Sequence, residues 1–181
     1  MKDPFETLLE KDHASLGRLL IDLDAKLSGP DAAAAFELLD RFWARLALHI
    51  RAEHLHLFPA LANVPASLFT GRGDLPTSEE LQSTLARLRS DHDFFLKELA
   101  SVIREMREIA GGQPAQPRNV EDRRRRLAAV ANRLEAHNRL EEERLYTWPT
   151  LLLGEPELAA LRTGIAHELE NLPPRFAKDN H

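Results

Sequence analysis

Apolar residues recur along this chain at steps of three and four, the period of one face of an α-helix, in four long stretches. The first stripe contains Phe5, Leu9, Leu16, Leu20, Leu23 and Leu27, and the second Phe36, Leu39, Trp43, Leu46, Ile50 and Leu57. The third contains Leu81, Leu85, Leu88, Phe95, Leu99 and Ile103, and the fourth Leu127, Val130, Leu134, Leu145 and Trp148. Turn-forming residues divide them. A first helix is expected from Pro4 to Leu27, stopped by Gly29 and Pro30, and a second from an N-cap at Asp31 to about Leu61. The segment Asn63 to Thr77, with two prolines and two glycines, reads as a long loop. A third helix is expected from Thr77 or Ser78 to Gly111 and Gly112, followed by a Pro-rich linker, Gln113 to Pro117. The fourth runs from about Asn119 to Leu153, where Gly154 and Pro156 break it. A shorter fifth, from about Glu157 to Asn171, ends at Pro173 and Pro174, leaving a loose tail. No strand-like alternation competes with these helices. The expected fold is all-α: an up-down-up-down four-helix bundle with a short C-terminal fifth helix. Residues 1–172 are expected to form a single domain, with residues 173–181 as its tail.

Each stripe is interrupted by an ionisable residue where the period demands an apolar one. His13 lies between Leu9 and Leu16, and His92 between Leu88 and Phe95. His49 and Glu53 lie between Leu46 and Leu57, and His137 and Glu141 between Leu134 and Leu145. An unpaired carboxylate in a helix seam costs several kcal/mol, so Glu53 and Glu141 require partners. The stripes offer no Lys or Arg for that purpose. A metal cation fills the role, with neutral imidazole and carboxylate as its ligands. The pattern is duplicated: His49 to His137, Glu53 to Glu141 and Leu57 to Leu145 are each 88 residues apart. His and Glu four residues apart lie one above the other on a helix face and can share an ion. Two lone histidines and two His-x-x-x-Glu pairs make two ions the economical reading.

Composition narrows the remaining classes. The chain has 181 residues and no cysteine, which excludes disulfides, thiolate clusters, Cys-based zinc sites and a Cys nucleophile. A net charge of −5 offers no basic surface for nucleic acid. No apolar run reaches the ~18 residues of a membrane span. Met1-Lys2-Asp3-Pro4 lacks a positive-then-apolar signal pattern, so a cytoplasmic location is expected.

The remaining polar positions have simpler readings. His54 and His56 flank Glu53 but are rotated off the core stripe; they read as surface groups, with support of a ligand or an entry path as the lesser reading. His167 falls in the fifth helix, where it would cap the bundle end or supply a fifth histidine if that helix packs over the site, and His181 in the tail. Asp12 and Asp91, each next to a core histidine, read either as solvated acids or as partners of a histidine on an adjacent helix. Arg123 to Arg126 reads as a solvated face, and Tyr146 and Trp148 as core.

With its lone histidines, its duplicated His-x-x-x-Glu motif and Leu57-Phe58-Pro59, the chain resembles the hemerythrin-like family, the HHE cation-binding domain, over about residues 5–153. The resemblance implies a four-helix bundle with two iron ions joined by an oxo or hydroxo group. It further implies Glu53 and Glu141 as bridges and His13, His49, His92 and His137 as terminal ligands. Zinc or another divalent metal can replace iron in a preparation. The oxygen-carrying members place a second histidine one turn after the third-helix histidine, where this chain has Leu96. Relatives with two His-x-x-x-Glu motifs, including proteins that repair nitrosylated or oxidised iron centres, are nearer in pattern. The expected function is binding of dioxygen or nitric oxide, for sensing, scavenging or iron-centre maintenance. The alternatives are iron storage or metal buffering, and a structural zinc bundle. No Ser–His–Asp arrangement or His-Glu-x-x-His points to hydrolysis.

Overall fold

The computed structural model describes residues 2–27, 31–69, 75–112 and 117–179. These are helical, with no strand among the described residues. In chain order the α-helices are α1 (Pro4–Leu27), α2 (Ala32–Ala52), α3 (Phe58–Ala62), α4 (Ser78–Ala110), α5 (Pro117–Glu143), α6 (Trp148–Leu152) and α7 (Glu155–Glu170). A π-helical turn, Glu53–Leu57, joins α2 to α3, and a 3-10 turn, Leu145–Thr147, precedes α6.

The helix starts follow the capping chemistry of the sequence. The Asp3 carboxylate accepts from Phe5 N at 3.2 Å while Glu6 reaches back to Asp3 N at 3.2 Å, a reciprocal box at the start of α1. Asp31 accepts from Ala34 N and Thr77 from Glu80 N, both at 3.0 Å, opening α2 and α4. At the far end of α4 the chain turns through Gly112, whose φ of 98° lies in the left-handed region that glycine enters without strain.

Several boundaries differ from the expected ones, and two of the differences involve proline. The second and fourth helices are expected to continue past Pro59 to about Leu61 and past Pro149 to Leu153. Pro59 and Pro149 each lack the amide hydrogen that an uninterrupted helix would use. The first copy accommodates this with the π turn, in which Phe58 N donates to Glu53 O. The second breaks at Arg144 (φ −133°) and continues as a 3-10 turn, so α5 stops at Glu143 rather than Leu153. α5 also begins at Pro117, earlier than Asn119, and α7 at Glu155, with Pro156 in its first turn. Part of the expected 63–77 loop forms a 3-10 turn, Ala66–Phe69, while residues 70–74 lie outside the described residues. The stops at Gly29 and Pro30 and linker residues 113–116 also lie outside them, as does His181. The tail is not uniformly loose: Pro174–Asp179 is a 3-10 helix, and Arg175 bonds Asp40 at 3.1 Å.

α1 packs on α2, α2 on α4, α4 on α5 and α5 on α1, neighbour relations consistent with a helical bundle; α7 lies against α1, α2 and the π turn. The apolar core is divided. One cluster holds Phe5, Leu9, Leu57, Phe58, Leu88 and Leu145, and the other Leu16, Phe42, Leu46, Phe95, Leu99 and Leu134. In the first, third and fourth stripes the division falls at the core histidine, and in the second it falls between Ile50 and Leu57, at Glu53. Trp43 is only partly buried and Phe42 takes the central position, a shift in the phase of the second stripe. No described helix is long and apolar enough to cross a membrane.

Candidate metal centre

Six side chains enter the layer between the two apolar clusters. His13 comes from α1, His49 from the last turn of α2, Glu53 from the start of the π turn, His92 from α4, and His137 and Glu141 from α5. None is more than 5 % exposed, and both glutamates are fully enclosed. The imidazoles meet in two pairs, His13 Nε2 with His49 Nε2 and His92 Nε2 with His137 Nε2, each at 3.0 Å. The carboxylates lie between the pairs. Glu53 Oε1 is 3.6 Å from His49 Nε2 and its Oε2 3.3 Å from His92 Nε2. Glu141 Oε2 is 3.3 Å from His13 Nε2 and its Oε1 3.0 Å from His137 Nε2. Each glutamate thus extends one oxygen to each imidazole pair.

Contacts on the other ring nitrogens orient all four imidazoles. His49 Nδ1 donates to Asp12 at 3.0 Å, and Arg45 Nε holds the other Asp12 oxygen at 2.6 Å. The second copy repeats this: His137 Nδ1 donates to Asp91 at 3.3 Å, and Arg133 Nε holds Asp91 at 2.6 Å. Asp12 and Asp91 are therefore buried partners of histidines on adjacent helices, the sharper of their two readings. His13 Nδ1 donates to Glu142 at 2.8 Å. His92 Nδ1 meets His54 Nε2 at 2.8 Å, so His54, although exposed as a residue, is more than the surface group expected. An ionised carboxylate only accepts, so a ring that donates from Nδ1 presents the Nε2 lone pair, when neutral, to the centre.

Tyr146 is the principal addition. Its ring is fully buried, as expected of a core residue, but its hydroxyl enters the cluster, donating to Glu53 Oε1 at 2.8 Å. The Tyr146 hydroxyl oxygen also lies 3.2 Å from Glu141 Oε2 and 3.2 Å from His13 Nε2. Tyr146, Glu142, His54, Arg45 and Arg133 were not singled out as site residues. The available signal was the same 88-residue offset, which also pairs Arg45 with Arg133, His54 with Glu142 and Phe58 with Tyr146.

The electrostatics follow from burying two acids among imidazoles. Burial opposes charge on His13, but hydrogen bonds to Glu141 and Glu142 outweigh it and raise its pKa to about 9. His137 is pushed up to about 10, where the Glu141 charge and the Asp91 bond overcome burial. Burial works to raise Glu141, yet His137 and His13 hold it well below the usual carboxylate range. Burial first, and then the Glu141 and Glu53 charges, keep the Tyr146 phenol protonated well above its ordinary value.

Other expectations resolve away from this layer. His167 is exposed on α7 and takes no part. His56 lies beside Gly164, where an added Cβ would collide with its ring. The arginine run is not uniformly solvated: Arg123 is 4 % exposed, and Arg126 bridges to Glu98 at 3.1 Å and Glu105 at 2.9 Å on α4.

The residues suit a cation. Glu53 Oε2 and Glu141 Oε1 are fully buried without a hydrogen-bond partner. Two groups of nitrogen and oxygen donors each lie within 4.8 Å: Glu53, His92, His137 and Glu141, and His13, His49 and Glu141, with Glu141 common to both. Imidazole with carboxylate suits iron and other first-row metals. Packed helices around such a buried donor set define an all-helical, metal-binding class of protein. The chain belongs to the hemerythrin HHE cation binding domain family, whose family model matches residues 5–148 and so spans all six residues. The chain finds no match among curated proteins and none among solved structures.

Proposed function

We propose that this chain is a non-haem di-iron protein that binds a small diatomic ligand, dioxygen or nitric oxide, for sensing, scavenging or iron-centre maintenance. The observation that carries this reading is the division of both buried carboxylates between the two imidazole pairs. It favours Glu53 and Glu141 as bridges, with His13, His49, His92 and His137 as terminal ligands and an oxo or hydroxo group completing the pair. Two six-coordinate ions would offer about twelve positions, of which these donors would fill about ten and leave about two open. Iron held there supplies redox chemistry and an open coordination position. The protein's own groups do the rest: Asp12, Asp91, Glu142 and His54 fix ring orientation, while the apolar clusters on either side exclude water. The architecture proposed is an up-down-up-down bundle of α1, α2, α4 and α5 with α7 as the additional helix. Residues 1–172 form one domain in the cytoplasm, with 173–181 as tail and no nucleic-acid partner.

Anaerobic reconstitution with ferrous iron, followed by exposure to air or nitric oxide, tests the reading. Two irons per chain and oxo-to-iron charge-transfer bands that respond to the gas are expected. Tightly held but spectroscopically unresponsive metal would favour storage, buffering or a structural zinc role. Glu53→Ala or Glu141→Ala should lower the metal count to one or zero with helical content retained. Two tightly held ions in both variants would rule out the bridging role.

A further inference from the structure

Of the positions that touch the two lone histidines, two differ in chemistry between the copies of the motif. The residue after each bridging glutamate, His54 in one copy and Glu142 in the other, contacts the Nδ1 of a lone histidine at 2.8 Å, His92 and His13 respectively. Five residues after each bridging glutamate stands an aromatic ring stacked on that same histidine. Phe58 lies on His92 at 5.7 Å between centroids, and Tyr146 on His13 at 5.8 Å. The roles are conserved between the copies, yet both polar substitutions fall on one side. The His13 side has a carboxylate and a phenol hydroxyl where the His92 side has an imidazole and a hydrocarbon ring. A carboxylate accepting from Nδ1–H strengthens the imidazole as a donor more than a neutral acceptor does.

From this asymmetry, and resting on the di-iron reading above, we infer that the two metal positions are inequivalent. The position at His13 and His49 is the more electron-rich and retains the ferric ion. The position at His92 and His137 is the one reduced first. Glu142 and His54 are the positioning residues that set the difference, acting through the rings they orient.

Mössbauer spectroscopy of protein reconstituted with enriched iron tests this directly. The diferric protein should give two quadrupole doublets of equal area. One electron per chain from a dithionite-class reductant then converts one ferric ion to ferrous. In that mixed-valent protein, Glu142→Gln should shift the ferric signal and narrow the gap between the two one-electron potentials. His54→Glu, which gives the second side the same carboxylate, should draw the two diferric doublets together. This second variant keeps the test open if Glu142→Gln takes up iron poorly. A single diferric doublet, or a Glu142→Gln change confined to the ferrous signal, would overturn the inference while leaving two irons bound. Failure of the unaltered protein to take up two irons would instead overturn the di-iron reading, and this inference with it.

Discussion

The buried ion network acts through hydrogen bonds that fix which nitrogen of each ring faces inward. Asp12→Asn or Asp91→Asn should therefore weaken metal binding about 10–100-fold, measured by competition with a chelator, without removing any group from the cage itself. The same network makes chelator-stripped protein sensitive to alkali. His13 and His137 are raised from 6.5 to about 9 and about 10, so their stabilising effect is complete below the ordinary histidine value. It is lost as the pH rises through those raised values. The melting temperature of the stripped protein should fall between neutral pH and pH 10, with a smaller fall once metal replaces the protons. The six central residues were legible because each occupies an apolar position in a regular stripe, which only a strong compensating partner explains. Tyr146 was less legible: a tyrosine suits the core on hydrophobicity alone, and the direction of its hydroxyl depends on the break at Arg144.

That break shows why helix existence was easier to read than helix continuity. Leu145 and Trp148 remain buried after α5 has ended, so the apolar period runs on through a change of helix type. The prolines marked both places, but not whether a π turn or a 3-10 turn would accommodate them. Cap chemistry was more direct, since Asp31 and Thr77 cap the helices they were expected to open. Asp3 illustrates how a cap also joins elements. Besides opening α1, its carboxylate bonds Arg162 of α7 at 2.9 Å and 2.7 Å. The Arg162 hydrogen bond outweighs burial and lowers the Asp3 pKa below 3.8. This stabilisation is present above the ordinary aspartate value and lost as the pH falls through the depressed one. Asp3→Asn should lower the melting temperature at neutral pH, and the difference from the unaltered protein should close in strong acid.

The molecule as a unit is two apolar clusters separated by an ionic layer. Phe42 is fully enclosed in the cluster remote from Phe5 and Leu9. Phe42→Ala should cost about 3–5 kcal/mol in denaturant unfolding while leaving metal stoichiometry unchanged in the folded protein. Such a separation would show that the apolar cluster can be weakened without dismantling the donor set. The overall helical class was legible from periodicity, whereas the placement of α7 against α1, α2 and the π turn was not. The apolar positions of α7, Leu158, Leu161 and Ile165, do not say which helices they cover, and the contacts that seat it include the small Gly164 beside His56 and the Arg51–Glu168 ion pair at 3.0 Å. Glu141 belongs to both donor groups, and that sharing has a consequence for how a di-iron centre would fill. A side chain committed to two neighbours cannot turn fully towards one without deserting the other. A first ion bound there would fix one donor of its neighbour's set in advance, which would favour cooperative loading over a population of singly occupied chains.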